Sequence, residues 1–186
     1  LQVARDGLAL LNQRHGPLPD GPRFYLLHRN RLWNAAQGKW MGWERKRGKL
    51  HELNRLLRGA TDTSFLPADP LPSGVRYIIT LDADTRLPRG AARKLIGKMG
   101  HPLNRPRLDP LTCRVVEGHG ILQPRVTPSL PVGSNSSLFQ WAFSGPNGLD
   151  PYAFAFSDIY QDLFEEGSFV GKGIYDIDAF EAALHQ

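Results

Sequence analysis

Over residues 1–14, Val3, Leu8, Leu10 and Leu11 recur among polar residues at spacings that predict an amphipathic helix, ended by His15-Gly16-Pro17. The short apolar run Phe24-Tyr25-Leu26-Leu27 predicts a strand. From Asn30 to about Arg47 the chain is rich in Trp, Gly and Arg, keeps neither period, and reads as a loop. Helical spacing returns over residues 49–58, where Leu50, Leu53, Leu56 and Leu57 share one face beneath a basic outer face. Pro67, Pro70 and Pro72 stiffen a linker, and residues 75–81 (VRYIITL) predict a buried, central strand. Pro88 opens a helix at its first turn, running to about Met99. Residues 115–123 predict a strand interrupted by Gly118 and Gly120. Residues 128–151 are loop-like, 152–164 helical, and 168–175 a glycine-rich strand or loop. Asp176 is placed to cap a last helix over residues 178–184. Strands alternating with helices give an α/β fold class.

At 186 residues the chain is one domain's worth, long enough to bury a core. Its single cysteine, Cys113, excludes an internal disulfide. No stretch approaches the ~18 apolar residues that a bilayer-spanning helix requires. The chain opens on Leu1 with no leader-like segment, which is expected of an excised piece. The net charge of +5 is uneven. Residues 1–100 hold 18 Lys/Arg against 8 Asp/Glu, and residues 101–186 hold 5 against 10. A positive first half can attract phosphates, nucleic acid or anionic lipid, so a non-catalytic basic polyanion-binding module stands as one alternative.

The paired carboxylates Asp82 and Asp84, directly after the strand at 75–81, change that picture. In open α/β sheets ligands gather at strand ends. If the strand continues, both side chains point to one side. Two close carboxylates repel unless a proton or cation sits between them. A hard Mg²⁺ or Mn²⁺ ion suits such oxygens and bridges to a diphosphate. Asp82 and Asp84 are therefore candidate metal ligands, with Asp82 also a candidate diphosphate contact. The same pair resembles the site of haloacid-dehalogenase-type phosphohydrolases, in which Asp82 would be the nucleophile. That pattern wants Thr or Val two residues after the second Asp, where this chain has Arg86, and it lies near the start of its domain. Upstream, Lys49 at a predicted helix N-terminus is placed to meet a diphosphate, with Arg45, Lys46 and Arg47 adding to the positive field. Trp33, Trp40, Trp43 and Trp141 can stack on sugar faces, although core packing is the commoner use of tryptophan. His51 and His119 read as structural.

Longer strings carry a resemblance. WMGWERKRGKL (residues 40–50), ITLDADTRLPR, GKMGHPLNRPR, GILQPRVTPSLP, SGPNGLDPYAFAFSDIYQDLF and EGSFVGKGIYDIDAF resemble the cyclic β-1,2-glucan synthases. Lys49 with Leu53 and Asn54 is also similar to a pattern of family 2 glycosyltransferases. The resemblance implies a partial GT-A (Rossmann-like) nucleotide-sugar-binding core over residues 23–186, after an N-terminal helix and linker at 1–22. It implies inverting transfer of glucose from UDP-glucose to a growing β-1,2-glucan, with Lys49, Asn54 and Asp82 at the diphosphate, a divalent metal (Mg or Mn) at Asp82 and Asp84, and no nucleic-acid partner. Gly167, Ser168, Gly171 and Lys172 match a glycine-rich segment near the acceptor. The remaining partners are the rest of a parent protein in the bacterial inner membrane, its catalytic domain cytoplasmic. An upstream uridine-binding strand and a downstream general base are expected outside the chain. On that reading the isolated chain forms no glucan, and Glu165 and Glu166 are the best internal substitutes for the base.

Overall fold

The computed structural model describes residues 1–67, 70–124, 137–138, 163, 169 and 171–184. The elements are helix α1 (Gln2–His15), strands β1 (Leu32–Asn34) and β2 (Lys39–Met41), helix α2 (Arg45–Leu57), strand β3 (Tyr77–Thr80) and helix α3 (Ala91–Gly100). Strands β4 (Arg107–Leu108), β5 (Val115–Glu117), β6 (Ile121–Leu122) and β7 (Gly173–Asp176) follow, and helix α4 (Ile177–Leu184) closes the set. The mixture of helices and strands is the expected α/β class. No helix among the described residues is long and apolar enough to cross a membrane.

The central unit is a three-stranded sheet in the order β3-β7-β6, each neighbour antiparallel. Strand β3 was expected at the centre and, among the described strands, lies at an edge. All four residues of β7 are buried, and β7 takes the middle because both of its edges are paired. Gly173 permits this closeness: a Cβ there would lie 2.6 Å from the Leu122 carbonyl oxygen. The expected strand at 115–123 divides into β5, which pairs with β4, and β6, which joins the central sheet. The run 24–27 forms no strand: among the described residues it makes no ladder pairing, and the isolated bridge of Arg29 with Phe65 lies just beyond it. The expected loop at 30–47 contains the hairpin β1-β2, with Trp33 opposite Trp40.

The core gathers Met99, Ile174, Tyr175, Ile177 and Ala179 at the meeting of α3, β7 and α4. Tyr175 stacks at 4.6 Å on Phe180, and Phe169 meets both rings edge-on. Asp176 caps α4 as expected, accepting from the backbone N–H groups of Asp178 and Ala179 at 3.1 and 3.2 Å. A polar chain then locks α2 to this unit. The Tyr175 hydroxyl donates to Asn54 Oδ1 at 2.7 Å, and Asn54 Nδ2 donates to Glu181 Oε1 at 2.8 Å. Burial pushes the Tyr175 hydroxyl pKa well up, so the group stays a neutral donor.

Helix α2 begins at Arg45, four residues before the expected start, behind Glu44 in a left-handed conformation. Its first turns pack so closely on Trp43 that a Cβ at Gly48 would lie 2.3 Å from the Trp43 carbonyl oxygen. The early start places Lys46 in the first turn and Lys49 in the second.

Candidate functional site

Strand β3 stops at Thr80, so strand alternation does not govern Asp82 and Asp84 as expected. The chain turns instead, closed by the Thr85 N–H donating to the Asp82 carbonyl at 3.0 Å. The turn presents the Asp82 carboxylate to two lysines from distant segments. Lys46, in the first turn of α2, donates to Asp82 Oδ1, and Lys172, just before β7, lies 3.4 Å from Oδ2. Lys46 also donates to the Gly171 carbonyl at 2.6 Å. Gly171 has φ +79, and a Cβ there would press within 3.1–3.2 Å of the end of the Lys46 side chain. The Lys46 hydrogen bond holds the Asp82 pKa below its ordinary value, against partial desolvation and with help from Lys172.

This cluster opens into a cleft of about 830 Å³ whose lining includes Arg31, Trp40, Lys46, Lys49, Thr80 and Asp82. Lys46, Lys49 and Asp82 line the cleft, and Lys172 reaches Asp82 from outside that lining, so three partly exposed charges, Lys46, Asp82 and Lys172, meet at its border. An anion entering the cleft meets the Lys46 ammonium group, which Asp82 already holds in place, and that of Lys49.

The sequence-derived residues divide. Lys49 and Asp82 share the cleft, and Gly171 and Lys172 stand beside Asp82 rather than in a separate segment. Asn54 was expected at the diphosphate, yet it has no exposed surface and its amide is committed to Tyr175 and Glu181. Its place is in the packing of α2. Trp33, Trp40 and Trp43 are 55%, 64% and 48% exposed, which overturns the expectation of core packing. Half-buried His51 faces Glu181 at 3.5 Å, and His119 is exposed. Gly167, Ser168, Glu165, Glu166 and Trp141 lie outside the described residues. Lys46 is the residue that sequence reasoning undervalued. It had been counted only as background charge, because the helix was expected to begin at Lys49.

The donor set bears on a divalent ion in two ways. Both Asp82 oxygens are engaged by lysines, so an ion there competes with two ammonium groups. Asp84 is exposed and accepts only weakly, from the Thr85 hydroxyl at 3.4 Å, which leaves hard oxygens for a cation. Among the described residues no three His, Cys, Asp or Glu side chains gather as a metal-holding group. A cation at Asp84 thus needs oxygens from its ligand, the usual way Mg²⁺ is held beside phosphates.

No known family profile matches the chain. The chain is 59% identical over 186 residues to the cyclic beta-(1,2)-glucan synthase NdvB of Rhizobium meliloti (strain 1021). The match covers 99% of this chain and 6% of that protein, so the chain spans a small part of its curated relative. The likeness expected from the motif strings is borne out.

Proposed function

We propose that this chain forms the donor-binding core of a membrane-bound glycosyltransferase that builds a β-1,2-linked glucan from UDP-glucose. The observation that carries the reading is the Lys46–Asp82–Lys172 cluster, of which Lys46 and Asp82 line the cleft, taken with the 59% identity to a glucan synthase. A nucleoside diphosphate brings negative charge to be met. Lys46 and Lys172 supply the charge, and Lys49 adds to it from the wall. Asp82 holds the two ammonium groups together before the ligand arrives, so little rearrangement is needed when phosphate oxygens replace its own. Both Asp82 oxygens are already engaged, which suits an orienting anion better than a phosphatase nucleophile. Asp84 would hold a divalent ion (Mg or Mn), whose chemistry there would be charge neutralisation of the diphosphate. Transfer is inverting: the donor linkage is α and the product linkage is β. The parent sits in the bacterial inner membrane, with this core on the cytoplasmic face and a glucan acceptor approaching the cleft.

Calorimetric titration with UDP, with and without Mn²⁺, tests the reading. Lys46→Met removes a charged hydrogen-bond donor and is expected to weaken UDP binding about tenfold or more. Lys49→Met should weaken it less, and Asp84→Asn should remove the Mn²⁺ dependence. Unchanged UDP affinity in Lys46→Met would overturn the assignment of the cluster.

A further inference from the structure

The hairpin β1-β2 carries two tryptophans directly opposite each other, Trp33 and Trp40, their rings edge-to-face with centroids 5.9 Å apart. Both rings are more than half exposed. Large exposed aromatic surfaces side by side call for a ligand, since tryptophan is ordinarily well buried on average. The hairpin is firmly mounted. At its root Arg29, almost fully buried, donates to the Trp43 carbonyl at 2.6 Å and faces Glu52 of α2 at 3.4 Å. At its tip Asn34 accepts from the Gln37 N–H at 3.1 Å, and Gly38 turns the chain with φ +59. A rigid mount spares a ligand the entropy of ordering the rings.

Position decides what the rings receive. Trp40 belongs to the lining of the cleft that holds Asp82, together with the polar side chains of Asn30, Arg31 and Lys39. Trp33 stands across the hairpin from it, so the aromatic surface runs from the cleft wall onto the outer surface. A nucleotide sugar is a small molecule of fixed length. A polymer under extension must leave the cleft. Pyranose rings offer flat C–H faces for indole and equatorial hydroxyls for polar neighbours, and this mixture of groups surrounds Trp40.

We propose that Trp33 and Trp40 form a stacking platform for the glucose rings of the acceptor glucan, guiding the chain out of the donor cleft. The proposal rests on the glucan-synthase reading for its ligand class and goes beyond it in assigning the acceptor's path. The test is calorimetry of the 186-residue chain with a linear β-1,2-linked glucose oligosaccharide, and separately with UDP. The oligosaccharide is expected to bind, with affinity about fivefold lower in Trp33→Ala and in Trp40→Ala. Trp40→Phe keeps an aromatic partner within the hairpin and should lose less. Leu32→Ala, at an exposed neighbour on the alternate strand face, should lose nothing, and circular dichroism of each variant should match the parent. UDP affinity should be unchanged in Trp33→Ala. The proposal is overturned if the oligosaccharide fails to bind, if neither tryptophan variant weakens it, or if Trp33→Ala weakens UDP equally. UDP binding without oligosaccharide binding would sink the platform and leave the donor site standing. Oligosaccharide binding without UDP binding would do the reverse.

Discussion

Helices α1 and α2 are nearly equal in length, 14 and 13 residues, and each sets leucines at helical spacing. Yet α1 buries no residue, and Val3 and Leu10 are 87% and 65% exposed. Helix α2 buries Gly48, Glu52 and Asn54, two of them polar. The difference lies in attachment. Helix α1 is held chiefly through Asn12, whose amide donates to the Phe24 carbonyl at 2.9 Å and whose oxygen accepts from the N–H groups of Arg23 and Phe24. Helix α2 is fixed by Asn54 to β7 and α4, by Glu52 to Ser64 and Arg29, and by Lys46 to Asp82 and Gly171. Apolar periodicity makes a helix. Directional polar contacts to separate elements decide where it sits, and on α2 that placement puts Lys46 at the functional cluster.

The sharpest way to break the contrast is Asn54→Leu. It leaves the Tyr175 hydroxyl and one Glu181 oxygen without a partner in a buried setting, and should cost about 3 kcal/mol in chemical denaturation. Equal stability of the variant would mean that the polar chain does not hold α2. Next, Asn12→Ala should cost about 1 kcal/mol and expose α1 to limited proteolysis, leaving residues beyond it protected. A loss as large as that of Asn54→Leu would erase the distinction between the helices. The smallest effect concerns acid. The Asp82 pKa is lowered, so its stabilising pairing with Lys46 is complete above the ordinary value of 3.8 and lost as pH falls through the lower folded-state value. The melting-temperature advantage of wild type over Asp82→Asn should therefore be flat from neutral pH to about pH 4 and vanish below it. An advantage that faded between pH 7 and 5 would contradict the pairing.

Much of this was legible in the chain. Leucine spacing located α1 and α2, Pro88 preceded α3, the VRYIITL run contained β3, and Asp176 announced its cap. The hairpin escaped notice because Leu32, Trp33 and Trp40 are all exposed, so no alternation of inside and outside marks it. The central place of β7 was hidden because strand order depends on pairing between segments some 100 residues apart, as with Tyr77 and Asp176. Asp82 stood out by its strand-end position. Its partner Lys46 did not, since the start of α2 depends on Glu44 and Arg45 adopting left-handed backbone angles that neither residue favours, and Lys172 was assigned to the acceptor rather than to Asp82. Asn54 matched a sequence pattern, but the pattern says nothing about which way a side chain faces.

The Asp82 cluster joins segments that are far apart along the chain: Lys46 reaches Asp82 across 36 positions and Gly171 across 125. During synthesis this ordering matters. Lys46 and Asp82 leave the ribosome long before Lys172, and in the interval one cation and the carboxylate of the cluster wait in an incomplete structure for the second cation. The closing residues arrive together with β7, the strand that also completes the central sheet. Closure of the sheet and appearance of the anion site are thus one late, long-range event, of the kind that slows folding. A nascent chain that has not yet reached Lys172 has no assembled site with which to capture a nucleotide prematurely.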